Sequence, residues 1–189
     1  MNEKLNILVI VGTTRNARSG KQISDWYISE AQKTAGDLMD FKVVDLQEWD
    51  LPLFNEDTPP MYHQYSELQN KIAGEIDKAD GFVFVTGEYN HSIPGSLKNL
   101  LDYIGAEWNK KPAAYVGYGA TGATRAIEHL IQILSCLGVA SMRGHITVNA
   151  IWDALDGHGI PKDGYWFGDF ENHLQELAWW ANALKAARE

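Results

Sequence analysis

Leu5-Asn6-Ile7-Leu8-Val9-Ile10-Val11 runs straight into Gly12-Thr13-Thr14-Arg15-Asn16-Ala17-Arg18-Ser19-Gly20. The first seven residues are apolar except Asn6, as in a strand covered on both faces. The glycine that follows marks a turn. Beyond Ser19, the residues Ile23, Trp26, Tyr27 and Ala31 recur at helical spacing as far as Thr34. The unit is therefore strand, loop, helix. Its loop offers two threonine hydroxyls, a serine and two arginines where a helix begins, and a helix start is a place to hold a phosphate. The same residues also suit a solvated loop with surface arginines and an N-capping serine, and taken alone they leave both readings open.

The pattern repeats along the chain. Phe41 to Leu46, Gly81 to Val85, Ala113 to Val116 and His145 to Val148 read as further strands. Between them, Leu68, Ile72, Ile76 and Ala79 trace one helix, Leu97 to Ile104 another, and Ile127, Leu130, Ile131 and Leu134 a third. Phe170, Leu174, Leu177, Ala181 and Leu184 mark a closing helix. Strict alternation of strands and helices implies an α/β, doubly wound parallel sheet with helices on both faces. Five strands suggest the flavodoxin-like order 2-1-3-4-5, in which ligands sit beyond the carboxyl ends of the strands at the switch between strands 1 and 3. One domain over residues 1–189 is expected, with irregular stretches at Gln47 to Tyr65 and Asn149 to Gly168.

Composition narrows the function. Hydrophobic residues are 45% and charged residues 22%, and the net charge is −9. An acidic chain argues against nucleic acid as a partner, because phosphate neutralisation needs clustered Lys and Arg. The N-terminus has no basic segment leading an apolar stretch, and no apolar run approaches the ~20 residues needed to span a bilayer. A cytoplasmic, non-membrane protein is expected. The single cysteine, Cys136, excludes an intramolecular disulfide, and its apolar surroundings suggest a packed thiol. The six histidines show no metal-ligand spacing, so no metal site is expected and packing or surface roles are. His91 stands apart because its loop flanks the expected site.

The loop after strand 3 is the denser signal. Thr86-Gly87-Glu88-Tyr89-Asn90-His91-Ser92-Ile93-Pro94-Gly95 places glycines, a proline, an aromatic ring and an amide at one strand end. Ser96 suits the N-cap of the next helix. Backbone groups from Gly87 to Asn90 suit a ring edge, with Tyr89 beside it. A third segment, Gly117-Tyr118-Gly119-Ala120-Thr121-Gly122, lets backbone approach a ligand or simply serves a turn. Neither the Gly-x-Gly-x-x-Gly fingerprint nor a Walker pattern follows strand 1.

These residues resemble the NADPH-dependent FMN reductase family. Its first loop, roughly Gly-Ser-x-Arg-x-x-Arg/Ser, is met by Gly12 to Ser19 with Thr13 for serine. Its second, Pro-Glu-Tyr-Asn-x-Ser-x-Pro-Gly-x-Leu-Lys-Asn, is met by Gly87 to Asn99 with Gly87 for proline. The Gly87 replacement implies a looser loop. The resemblance spans Leu5 to Val148, includes Asp50 to Asn55, and is loose beyond Asn149. It implies FMN as cofactor, its phosphate held by Thr13, Thr14, Arg15, Arg18, Ser19 and Gly20. Its ring would be lined by Gly87, Glu88, Tyr89, Asn90, Gly117 and Gly119. It implies NADPH or NADH as co-substrate and two-electron reduction of a quinone, azo compound, metal oxyanion or free flavin in a ping-pong cycle. The flavin carries that chemistry, so no catalytic side chain is nominated. A flavodoxin-type electron carrier is the alternative; a CheY-like receiver is not, because it needs acidic residues after strand 1. Family members form homodimers or homotetramers, which the multi-faced apolar Ile127 to Leu137 helix and the Trp179-Trp180 pair also suggest.

Overall fold

A computed structural model describes residues 3–188; Met1, Asn2 and Glu189, which the single-domain and N-terminal expectations include, lie outside them. Strands β1 (Leu5–Val11), β2 (Met39–Asp45), β3 (Gly81–Gly87), β4 (Pro112–Tyr118) and β5 (Ala140–Val148) are parallel neighbours. The fold is the flavodoxin-like α/β type, but the sheet has six strands, ordered β2-β1-β3-β4-β5-β6. The sixth, β6 (Trp166–Phe167), is antiparallel to β5, pairing Thr147 with Phe167 and Val148 with Trp166. It corrects the five-stranded expectation. Two residues are too few to show a period, and they lie in a stretch read as irregular.

Period-two alternation splits the core into two layers. Leu8, Ile10, Phe82, Phe84 and Tyr115 face one side, packed by α3 (Glu67–Asp77), α4 (Gly95–Tyr103) and α5 (Thr124–Cys136). Ile7, Val9, Val83, Val85, Val116 and Tyr118 face the other, packed by α1 (Gly20–Ala35) and α7 (Phe170–Arg188). Burying both faces accounts for the apolar runs Ile7 to Val11 in β1 and Phe82 to Val85 in β3.

Local chemistry sets several boundaries. Ser66 caps α3 in a reciprocal box: its hydroxyl accepts from Gln69 N at 3.2 Å while Gln69 Oε1 accepts from Ser66 N at 3.0 Å. The helix ends at Asp77, so Ala79 lies beyond it. β5 starts five residues before its expected boundary of His145, because its pairing to β4 shifts between Ala113 and Tyr115 and the alternation there is broken. Each irregular stretch holds one four-residue helix, α2 (Leu46–Trp49) and α6 (Ile151–Ala154). Cys136 is exposed rather than packed. It follows inward-facing Leu134 by two residues, roughly 200° around the helix.

Candidate functional site

The three glycine-marked loops leave β1, β3 and β4 at one edge of the sheet, and direct bonds join them. Gly12 N donates to Val85 O at 2.9 Å, so the first loop starts against β3. A Cβ on Gly12 would come within 3.1 Å of Leu97, which is why the chain there runs tight beneath α4. Ser96 does not cap α4, whose N-cap is Pro94. Its hydroxyl donates instead to the Gly12 carbonyl at 2.6 Å.

The first loop divides into buried and open parts. Thr13 is only 1% exposed, and its Oγ1 lies 2.7 Å from the Tyr118 hydroxyl. Gly20 opens α1 directly against this pair: a Cβ there would stand 2.6 Å from Thr13 Oγ1. Thr14 and Arg15 are exposed. Arg15 Nε donates to the Tyr89 hydroxyl at 3.1 Å, bridging to the second loop. Arg18 turns inward, its side chain 9% exposed, and pairs through Nη2 with Asp45 at the end of β2. Arg18 Nε is buried and without a partner. Ser19 occupies the N-cap of α1, yet its side chain makes no capping bond, and the first turn of α1 carries no acidic residue.

The second loop is firmer than the glycine at its start suggests. Gly87 belongs to β3, in register with Tyr118, and a Cβ there would touch the Tyr118 ring at 3.3 Å. Tyr89 and Ser92 exchange both backbone bonds, at 2.9 and 3.0 Å. Asn90 and His91 between them hold φ of 51° and 66°. Two consecutive left-handed residues inside a two-residue hairpin make a type I′ turn. Two side-chain pairs fasten the hairpin to α5. Arg125 donates to Glu88 Oε1, at 2.7 Å from Nε and also from Nη2. Ser92 Oγ lies 2.7 Å from His129 Nδ1. Arg125 and His129 are four residues apart, on one face of the helix. Glu88 Oε2 is buried with no partner.

The third loop is set by Gly117, where a Cβ would overlap the Gly122 carbonyl oxygen outright. Gly119 N donates to Val148 O at 3.1 Å and its carbonyl accepts from Ile151 N at 3.2 Å, holding it against the segment after β5.

Beside the first loop a cleft of about 450 Å³ is lined by Thr14, Asn16, Gln47, Asp50, Ser96 and Asn99, among others. Its far wall is fixed by Asn99, whose Nδ2 donates to Pro52 O at 2.7 Å and whose Oδ1 accepts from Phe54 N at 2.8 Å. A second cleft of about 300 Å³, between β2 and α3, lies away from all three loops.

The donor set suits a phosphate. The loop presents a buried guanidinium N–H with no partner and a serine hydroxyl free of its capping bond, at a helix N-terminus whose first turn carries no acidic residue. Thr14, Arg15, Arg18, Ser19 and Gly20 lie around that start, with Thr13 tucked beneath. Glu88 meets α5 and Tyr89 meets the first loop through their side chains. Sequence reading missed Tyr118, Asp45, Arg125 and His129 as supports. Only Tyr118, between two glycines already singled out, carried a local signal. No group of three or more His, Cys, Asp or Glu able to hold a metal ion occurs among the described residues.

A parallel sheet with a phosphate-type loop after β1 and a backbone-lined loop after β3 defines a flavodoxin-like, mononucleotide-binding class of protein. The pattern of the NADPH-dependent FMN reductase family matches residues 5–153, and the chain belongs to that family. It is 34% identical over 180 residues to an NAD(P)H-dependent FMN reductase of Schizosaccharomyces pombe, covering 90% of this chain and 84% of that one. It is 33% identical over 145 residues to a 2-hydroxy-1,4-benzoquinone reductase of a Burkholderia species, covering 73% and 74%. Among solved structures, the flavoenzyme NAD(P)H:(acceptor) oxidoreductase of Paracoccus denitrificans shares the fold. Its TM-score is 0.64 at 24% identity, over 95% of this chain and 94% of that one.

Proposed function

We propose that residues 1–189 act as one FMN-binding domain that moves two electrons from NADPH or NADH to a small acceptor, in two half-reactions at one place. The phosphate is assigned to Thr13, Thr14, Arg15, Arg18, Ser19 and Gly20. The ring is assigned to the backbone of Gly87, Glu88, Tyr89 and Asn90, with Gly117 and Gly119 along its other side. The observation that carries this reading is Arg18 Nε, a buried donor without a partner in the loop that opens α1. Leaving such a donor unpaired costs about 1–3 kcal/mol or more, and a phosphate oxygen removes that cost.

FMN, when bound, supplies the hydride-accepting and electron-donating ring. The chain's own part is to bind and orient. Asp45 holds Arg18 in place, Arg15 bridges the two loops, and the pinned hairpin keeps its amides in a fixed array. No side chain is assigned as acid or base. Relatives named for quinones favour a quinone acceptor, with azo compounds, metal oxyanions and free flavin as further candidates.

A homodimer or homotetramer is part of the proposal. Trp179, one of the pair that the sequence singles out, is 63% exposed on α7, and Leu53 and Met61 are 83% and 73% exposed in the stretch after β2; large apolar side chains left in water support a subunit contact. A monomer mass by light scattering at micromolar concentration would contradict this. A cytoplasmic setting, where NAD(P)H is at hand, fits the reading; no helix among the described residues is long and apolar enough to cross a membrane.

Steady-state NADPH oxidation with a benzoquinone acceptor tests the function. Turnover with parallel double-reciprocal lines is expected, the signature of two half-reactions. FMN-loaded protein that leaves NADPH unoxidised would instead be an electron carrier.

A further inference from the structure

Tyr118 ends β4 between two glycines of the third loop, but its side chain lies on the α1 face of the sheet. There it touches three elements at once. Its hydroxyl is 2.7 Å from Thr13 Oγ1 in the first loop. A Cβ on Gly20, at the start of α1, would stand 2.8 Å from that hydroxyl. A Cβ on Gly87, at the end of β3, would meet the ring at 3.3 Å. Small residues on both sides make room for this one large ring, which is 7% exposed.

We infer that Tyr118 is a positioning residue for the cofactor: its bond to Thr13 holds the first loop at the separation from the β3 and β4 loops that one phosphate-bearing flavin must span. The inference rests on the FMN site proposed above. Either hydroxyl can donate in this bond, and the phenol is the more acidic and the better donor; with Tyr118 donating, Thr13 keeps its own proton to donate onward. Burial pushes the Tyr118 phenol up to about 12. It therefore stays protonated through the neutral range and carries no negative charge beside the first loop.

The location of the bond implies a selective effect. The first loop grips the phosphate, whereas the β3 and β4 loops line the ring. Breaking the bond loosens the phosphate end alone. Riboflavin, which has the same ring and no phosphate, is the matching control.

Y118F keeps the ring against Gly20 and Gly87 and removes only the hydroxyl. FMN and riboflavin dissociation constants by flavin-fluorescence quenching, for wild type, Y118F, T13V and T13V/Y118F, test the idea, with thermal melting to check folding. Y118F is expected to weaken FMN about tenfold, the scale of one buried hydrogen bond, and riboflavin less than twofold. T13V/Y118F is expected to bind FMN no more weakly than T13V, because both changes break one bond. Equal losses for both ligands, no loss for FMN, or additive losses in the double variant would overturn the role of Tyr118. Wild type that binds no FMN would remove the FMN site itself, an outcome distinct from wild type that binds with Y118F unaffected.

Discussion

Ser96 Oγ donates to the Gly12 carbonyl oxygen at 2.6 Å, tying the first turn of α4 to the loop that leaves β1. The two residues are 84 apart in sequence. The bond fixes the phosphate-type loop to the helix that follows the ring-type loop, so both ends of the proposed ligand share one frame. S96A leaves the Gly12 oxygen short of this partner. A loss of about 1 kcal/mol in unfolding free energy is expected by urea denaturation, with weaker FMN binding. Unchanged stability and affinity would show that the bond is incidental.

Two glycines, one near the end of β4 and one opening α4, should respond unequally to alanine. A Cβ on Gly117 overlaps the Gly122 carbonyl, whereas a Cβ on Gly95 meets nothing within 4 Å. G117A should cost about 2 kcal/mol or more or fail to fold, because backbone rather than a flexible side chain must shift. G95A should stay within about 0.5 kcal/mol of wild type. Equal thermal shifts for the two would contradict the packing described.

Arg15 is exposed, and its bond to Tyr89 is a surface one. R15A should leave stability nearly unchanged while weakening FMN by about 1.5–3 kcal/mol, the scale of a charged hydrogen bond. A titration giving wild-type affinity would take Arg15 out of the phosphate site.

His173 provides a pH test independent of the ligand. It is buried, with Nε2 3.1 Å from the Tyr27 hydroxyl. Burial pushes its pKa from 6.5 down to about 4. Below pH 6.5 the unfolded chain takes up a proton that the folded chain refuses until about pH 4. Stability therefore falls as pH drops through that window, by up to about 3 kcal/mol. His145, also lowered by burial, adds slope of the same sign. Unfolding free energies from pH 7 to 4 should drop less steeply in H173Q than in wild type; parallel curves would refute the buried neutral imidazole.

How much of this was legible in the sequence depended on the range of the interactions. β1 and β3 were visible because burial on both faces leaves unbroken apolar runs. The loop strings were visible because turn geometry is local: Asn90 and His91 carry the hairpin within four residues. Gly87 misled because a glycine read alone suggests slack, whereas here it makes room for the Tyr118 ring. Ser96 misled because a serine near a helix start usually caps, and this one meets a carbonyl from another loop. Asp45 against Arg18, and Arg125 and His129 against the hairpin, join segments 27 to 37 residues apart. No local pattern marks such pairs. Cys136 sits in an apolar run but on the outward side of α5, a distinction that needs the helix phase.

The most direct test of the central claim is a titration of purified protein with FMN, followed by flavin fluorescence and visible absorption, with NADPH then added without oxygen. Saturable quenching at one FMN per chain, and bleaching of the flavin band by NADPH, is the expected result. Protein that stays colourless and leaves FMN fluorescence unquenched at micromolar concentration would contradict it.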